Sequence, residues 1–266
     1  MLRESSKQMI REALADLKQP VRLVLFVTDT RCDACPDAVE LGRAIKAVSP
    51  KVALEIYDHT MDRDKSELYG IQRVPSFVVQ AQDGKHIAFS GTLEGLSLLL
   101  LLEAISGAAN PRAWFPDQIA GTLRLLHRPV NVQVFLENDC TLCRPVAETA
   151  LGLALTSRMV VAELIVAEDF PELLAKHRIK ILPFTRFGAK LFLEGHAVEA
   201  EFLEMLLQAE GQQDASGKRC AICAQPSPDV ICENCKARIQ SEAVTHKRKD
   251  EHLSQTGTIV KPRKNP

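Results

Sequence analysis

Eight cysteines in 266 residues fall into four C-x-x-C pairs: Cys32 with Cys35, Cys140 with Cys143, Cys220 with Cys223, and Cys232 with Cys235. Two thiols three positions apart can exchange a disulfide or supply half of a tetrathiolate metal site, and the flanking sequence separates the two chemistries. Cys32 and Cys35 follow an apolar run, VRLVLFV, and a polar turn, TDTR, and lead into PDAVELGRAIKAV. The same order recurs about 108 residues later, where VNVQVFL runs through END to Cys140 and Cys143 and into RPVAETALGLAL. Either pair alone is also compatible with half a metal site; two copies in the same place favour redox chemistry. Cys32 and Cys140 each stand at the start of a helix, where unpaired N–H groups and the helix dipole favour a thiolate. Cys35 and Cys143, three positions on, are placed to resolve a mixed disulfide.

The last two pairs have different surroundings. Cys220-x-x-Cys223, eight residues and Cys232-x-x-Cys235 have the spacing of a small tetrathiolate site, with no strand-like runs around them. About 16 residues cannot bury a core, so a bound metal has to supply the folding free energy. One structural zinc per chain, held by Cys220, Cys223, Cys232 and Cys235, is therefore expected. Iron of the rubredoxin type is the alternative ion, although Ala224 and Lys236 stand where such sites usually carry glycine.

The elements that must position these cysteines are readable from periodicity. Residues 21–27 and 130–136 are dense in Val, Leu and Phe, as strands covered on both faces should be. Leu41, Ile45 and Val48 share one face of the first following helix, and Val146, Ala150 and Leu153 one face of the second. Residues 51–58 and 159–166 read as further strands. Segments 62–69 and 170–177 read as short helices, Asp83-Gly84 as a hairpin turn, and 184–193 as a shorter hairpin. The leucine-rich run 96–105 is too short to cross a bilayer, which takes about 20 apolar residues, and reads as a packed helix. A helix with Ile10, Leu14 and Leu17 precedes the first strand, and one with Ile119, Leu123 and Leu126 precedes the second. The repeat unit is thus a leading helix followed by βαβαββα. A connector at 107–116 separates the copies, and a helix from about 199 to 209 closes the second.

Spacing adds a second coincidence. Pro75 lies 43 residues after Cys32, and Pro183 lies 43 residues after Cys140, each following an apolar residue, Val74 or Leu182. Residues 5–210 resemble the tandem thioredoxin-fold protein disulfide oxidoreductases, also called glutaredoxin-like proteins. The resemblance is carried by the leading helices, FVTDTRCDAC, FLENDCTLC, EDFPELLAKHRIKILPF and the paired prolines. CDACPDAV is also similar to the N-terminal domain of alkyl hydroperoxide reductase flavoprotein subunits. The resemblance implies an α/β fold of two tandem thioredoxin-like domains, here with a small C-terminal zinc-binding module of four cysteines. It implies redox-active disulfides at Cys32–Cys35 and Cys140–Cys143, and cis prolines lying against them, so that Val74, Pro75, Leu182 and Pro183 would receive substrate. It further implies exchange with protein disulfides, electrons from a thioredoxin-reductase-like flavoenzyme, or passage to a peroxiredoxin. No flavin-binding glycine fingerprint is present, so no bound flavin or nicotinamide is expected. The chain departs from thioredoxin in carrying Phe26 and Val134 in place of a buried Asp, and Arg31 and Asp139 in place of a Trp. Arg31 favours a Cys32 thiolate while Asp29 and Asp33 oppose it; Glu137 and Asp139 oppose one at Cys140.

The expected domains are 1–108, 109–211, a zinc knuckle at 212–240 and a basic, solvated, disordered tail at 241–266. Residues from 215 onward carry ten Lys/Arg and five Asp/Glu, but no Phe, Tyr or Trp to stack on bases, so nucleic acid is not an expected partner. The N-terminal segment carries charges throughout and has no apolar block. It does not read as a secretion signal, and with 46% hydrophobic residues and net charge −1 the chain reads as a soluble cytoplasmic protein without a membrane partner. The competing class is a non-enzymatic soft-metal carrier or redox-regulated interaction module built on the same cysteine pairs.

Overall fold

The computed structural model describes residues 3–30, 32–211, 220–225, 227 and 229–256, with side chains described through residue 247. Met1, Leu2, Arg31, residues 212–219, Pro226, Pro228 and the last ten residues lie outside these. The first unit runs α1 (Glu4–Ala13), β1 (Val21–Val27), α2 (Cys35–Val48), β2 (Val52–Asp58), α3 (Arg63–Leu68), β3 (Ser76–Gln80), β4 (His86–Ser90) and α4 (Gly95–Ala109). The second repeats it with α5 (Asp117–Leu123), β5 (Val130–Leu136), α6 (Cys143–Thr156), β6 (Val160–Val166), α7 (Pro171–His177), β7 (Phe184–Phe187), β8 (Leu191–Glu194) and α8 (Glu199–Glu210). A last helix, α9 (Glu233–Thr256), follows the C-terminal cysteines.

The eight strands form one sheet in the order β2-β1-β3-β4-β6-β5-β7-β8. Each unit contributes four strands, and the halves join where β4 pairs parallel with β6, Ala88 opposite Glu163 and Ser90 opposite Ile165. The join removes what would otherwise be an open strand edge on each unit. Alternation along the strands sends Leu23, Leu25, Phe77, Phe89, Val132, Val134, Ala162 and Leu164 to one face. There α1, α2, α4, α5, α6 and α8 cover them in a core continuous across both units. The opposite face is covered twice and separately, by Tyr69 and Ile71 after α3 over Val24, Phe26 and Val78, and by Phe170 beside α7 over Phe135, Ile165 and Phe184.

Three expected boundaries move. The leading helices stop at Ala13 and Leu123, but Leu14, Leu17 and Leu126 are buried all the same, because the chain turns toward Pro20 and Pro129 while keeping its apolar side inward. Gly107 does not open a connector: α4 continues to Ala109, and a Cβ at 107 would collide with the Trp114 ring, so the glycine serves close packing. The segment expected as a disordered tail from 241 is instead helical through Thr256. Its first turns are anchored where Ile231, Ile239 and Ala243 are buried, Lys236 pairs with Glu204 of α8 at 2.9 Å, and Lys247 pairs with Glu199 at 2.5 Å. α9 covers α8 much as α6 covers α4, so the terminal module caps the open end of the repeat.

Candidate functional site

Both helix-start pairs are disulfides, Cys32–Cys35 with Cα atoms 5.4 Å apart and Cys140–Cys143 with 5.3 Å. α2 begins at Cys35 and α6 at Cys143, each 14 residues long, so the preceding cysteine faces the first unpaired N–H groups. In the second unit the Cys143 N–H donates to Cys140 Sγ at 3.1 Å. Cys35 and Cys143 are buried and Cys32 and Cys140 half-buried. Attack from outside therefore has to meet the first cysteine of each pair.

The Val74–Pro75 and Leu182–Pro183 peptide bonds are cis. Antiparallel pairing sets Ser76 opposite Phe26 and Phe184 opposite Phe135, so each proline loop stands at the sheet end from which the chain leaves for its cysteines. A cleft of ≈ 240 Å³ opens beside the first pair, lined by Ala34, Asp37, Leu41, Phe77, Thr92 and Glu94.

Matched positions 108 residues apart differ in the two units. Ala34 corresponds to Leu142, which is 64% exposed, and Arg73 corresponds to Ile181, which is 53% exposed. Around the second pair the Glu168 carboxyl is raised above its ordinary value, first by burial and then by the charges of Glu137, Asp169, Asp139 and Glu94. The second cysteine loop is also held by the first unit. Leu96 N–H donates to the Asn138 carbonyl at 3.1 Å, Ser97 Oγ donates to Asn138 Oδ1 at 2.6 Å, and Asn138 Nδ2 donates to the Thr92 carbonyl at 3.3 Å. Gly95 makes this approach possible: its φ is +48°, and a Cβ there would lie 3.1 Å from the Asn138 carbonyl oxygen.

The remaining four cysteines are free thiols whose sulfurs all lie within 4.8 Å of one another. Cys223 Sγ and Cys232 Sγ are 3.7 Å apart, against about 3.8 Å for two corners of a tetrahedron with Zn–S near 2.3 Å. Cys220 and Cys235 are buried, and the Cys232 N–H donates to Cys220 Sγ at 3.3 Å. Burial opposes ionisation of Cys220, but the N–H groups of Cys232, Cys223 and Ile222 outweigh it and draw the thiol down to about 6. Cys235 moves the other way, raised by burial and by its thiol neighbours. The donor set thus fits a tetrahedral thiophilic ion. Ala224 adopts φ 58°, the left-handed geometry in which glycine is usual, so the turn of a glycine-bearing knuckle is kept without the glycine.

Motif spacing did not reveal Arg73, Ser90, Glu163 or Asn138. Two signals were nevertheless present: Arg73 departs from Ile181 when the repeats are matched, and Glu163 interrupts the apolar strand VVAELIV.

No family model and no curated protein sequence matches the chain. Among solved structures it is similar to the NTD_N/C domain of alkylhydroperoxide reductase AhpF from Enterococcus faecalis, with TM-score 0.70 and 22% identity over 77% of this chain and 100% of that one. It is also similar to a protein disulfide oxidoreductase from Aeropyrum pernix, with TM-score 0.70 and 22% identity over 79% of this chain and 95% of that one. A third likeness, to Sso1120 from Sulfolobus solfataricus, has TM-score 0.53 and 18% identity over 71% of this chain and 99% of that one. These likenesses show the fold: two tandem thioredoxin-like units, to which this chain adds a C-terminal cluster of four cysteines. No helix among the described residues is long and apolar enough to cross a membrane.

Proposed function

We propose that the chain is a thiol–disulfide oxidoreductase acting on protein disulfides through Cys32–Cys35 and Cys140–Cys143. The observation that carries this reading is that both pairs close as disulfides at the start of a 14-residue helix, with only the first cysteine of each reachable from outside. In the reductive direction the Cys140 thiolate attacks one sulfur of a substrate disulfide, and the other substrate sulfur leaves as a thiolate and takes a proton. Cys143, deprotonated, then attacks Cys140 Sγ, closing the intramolecular disulfide and releasing the second substrate thiol. Two electrons pass from the enzyme dithiol to the substrate, and the same steps reversed oxidise a dithiol. Cys32 and Cys35 act likewise in the first unit. The Cys143 N–H on Cys140 Sγ stabilises the thiolate in both its attacking and leaving roles.

Val74, Pro75, Leu182 and Pro183 are the residues that receive the substrate backbone, since proline leaves no N–H to compete for the incoming chain. A thioredoxin-reductase-like flavoenzyme is the class of partner that re-reduces the pairs, and a peroxiredoxin is a candidate acceptor, in keeping with the structural likeness to AhpF. Cys220, Cys223, Cys232 and Cys235 hold one structural zinc, which would supply a four-coordinate crosslink with no open position for water. We place the domain limits at 108 and 211 and the protein in the cytoplasm. The test is reduction of insulin disulfides with dithiothreitol as electron source. The Cys32→Ser/Cys140→Ser variant should fall to background, and turnover persisting in it would refute the assignment.

A further inference from the structure

On the sheet face opposite the continuous core, a row of polar side chains crosses the junction between the units. Glu163 on β6 is its centre. The Arg73 guanidinium from the first unit is ion-paired with the Glu163 carboxylate, the two side chains only 11% and 16% exposed. Ser90 Oγ on β4 donates to Glu163 Oε1 at 2.6 Å, and Gln133 Nε2 on β5 donates to Oε2 at 2.8 Å. Ser76 Oγ lies 2.7 Å from Ser90 Oγ and 2.8 Å from the Arg73 carbonyl oxygen. Phe170 of the second unit places its ring 5.8 Å from the Arg73 guanidinium carbon. The side chain and the carbonyl of Arg73 are therefore both tied into this row, and Arg73 stands two residues before Pro75. The matched residue of the second unit, Ile181, is instead 53% exposed.

We infer that Glu163 is a positioning residue for the first exchange site: from the second unit it fixes, through Arg73 and Ser90, the 73–76 loop that receives substrate beside Cys32–Cys35. The inference rests on the exchange reading of that pair and adds a division of labour to it. A nearly buried ion pair whose remaining lone pairs accept two further hydrogen bonds holds one geometry, whereas an exposed loop of the same length samples several. The arrangement is reciprocal, because Ser97 of the first unit holds Asn138, two residues before Cys140. Each unit thus supports a loop of the other's site.

The test separates the sites in the full-length chain. Cys140→Ser/Cys143→Ser leaves only the first pair to turn over, and Cys32→Ser/Cys35→Ser only the second. In the first background, Glu163→Gln keeps an acceptor for Ser90 but loses the charge; KM for insulin should rise about fivefold while kcat on the small substrate hydroxyethyl disulfide stays unchanged. Arg73→Ala should do the same, and the two together should be no worse than either, since they remove one interaction. In the second background Glu163→Gln should leave both constants unchanged, whereas Ser97→Ala should show the crossed pattern. An unchanged KM at the first site, equal effects at both sites, or additive losses for Glu163 and Arg73 would overturn the inference. If the first background turns over neither substrate, the exchange reading of Cys32–Cys35 falls, and this inference with it.

Discussion

The two helix-start pairs share one scaffold but differ in what surrounds them. At the second pair Leu142 and Ile181 stand out into solvent and carboxylates gather at Glu137, Asp139, Glu168 and Asp169. At the first pair the matched residues are Ala34 and Arg73, the latter turned inward onto Glu163. Backbone, cysteine spacing and proline loop have been kept across the repeat, and the side chains a partner would meet have diverged. On the exchange reading, the shared elements carry the chemistry, and the positions where the copies differ are the ones to test for partner choice.

The largest break in this comparison comes from removing one attacking thiol at a time. Cys32→Ser should abolish mixed-disulfide formation in the first unit and leave the second intact, and Cys140→Ser the converse, read by alkylation and mass spectrometry of each pair. Identical loss from either variant would make the two pairs one relay rather than two sites.

A second contrast sets both helix-start pairs against the terminal cluster, where the same spacing brings four free thiols together. Cys220→Ser/Cys235→Ser should remove about one zinc equivalent per chain and loosen the 220–235 loop, because the metal supplies its crosslink, while α9 stays on α8 through buried Ile239 and Ala243. Metal content and insulin reduction measured on the same sample separate the roles. Zinc should vanish while turnover persists; zinc retained by the variant would move the metal to the helix-start pairs and favour a carrier.

A smaller effect sharpens the difference between units. Leu142→Ala and Ile181→Ser should each weaken docking of a protein disulfide at the second site by about 1 kcal/mol, roughly fivefold in KM, through loss of apolar contact. Neither should alter the first site.

The smallest expected effect is on acid stability. Burial pushes His86 on β4 below the usual histidine value of 6.5, against a weaker opposing pull from the Gly84 carbonyl, and the matched residue of the second unit is Glu194. The unfolded chain takes up this proton before the folded one does. The contribution is therefore complete above 6.5 and is lost as pH falls from there toward the lowered folded value. Thermal melts of His86→Gln should show a shallower decline over that window than the parent, and parallel curves would contradict the assignment.

Much of this architecture was legible because it is written twice. The offset of 108 residues aligned the cysteines and prolines and brought the strands within one residue of register, so each weak local signal was supported by its copy. What was not legible depends on contacts between elements far apart in sequence. The charged run after Ser241 reads as solvated tail, yet it continues a helix held by buried Ile239 and Ala243 and by the pairing of Lys236 and Lys247 with Glu204 and Glu199 of α8. The polar row across the junction joins Arg73, Ser76, Ser90, Gln133 and Glu163, which no local pattern links. Its traces in sequence were the mismatch of Arg73 with Ile181 and the charge of Glu163 inside an apolar strand.

The most direct test of the central claim is to trap the exchange intermediate in the full-length chain. Cys35→Ser and Cys143→Ser each remove the resolving thiol, so a substrate disulfide should remain covalently attached through Cys32 in the first variant and through Cys140 in the second. Mass spectrometry of the digested adducts should find substrate peptide on those two sulfurs and release of it by dithiothreitol. Absence of adducts on Cys32 and Cys140, or adducts confined to Cys220, Cys223, Cys232 or Cys235, would contradict the account.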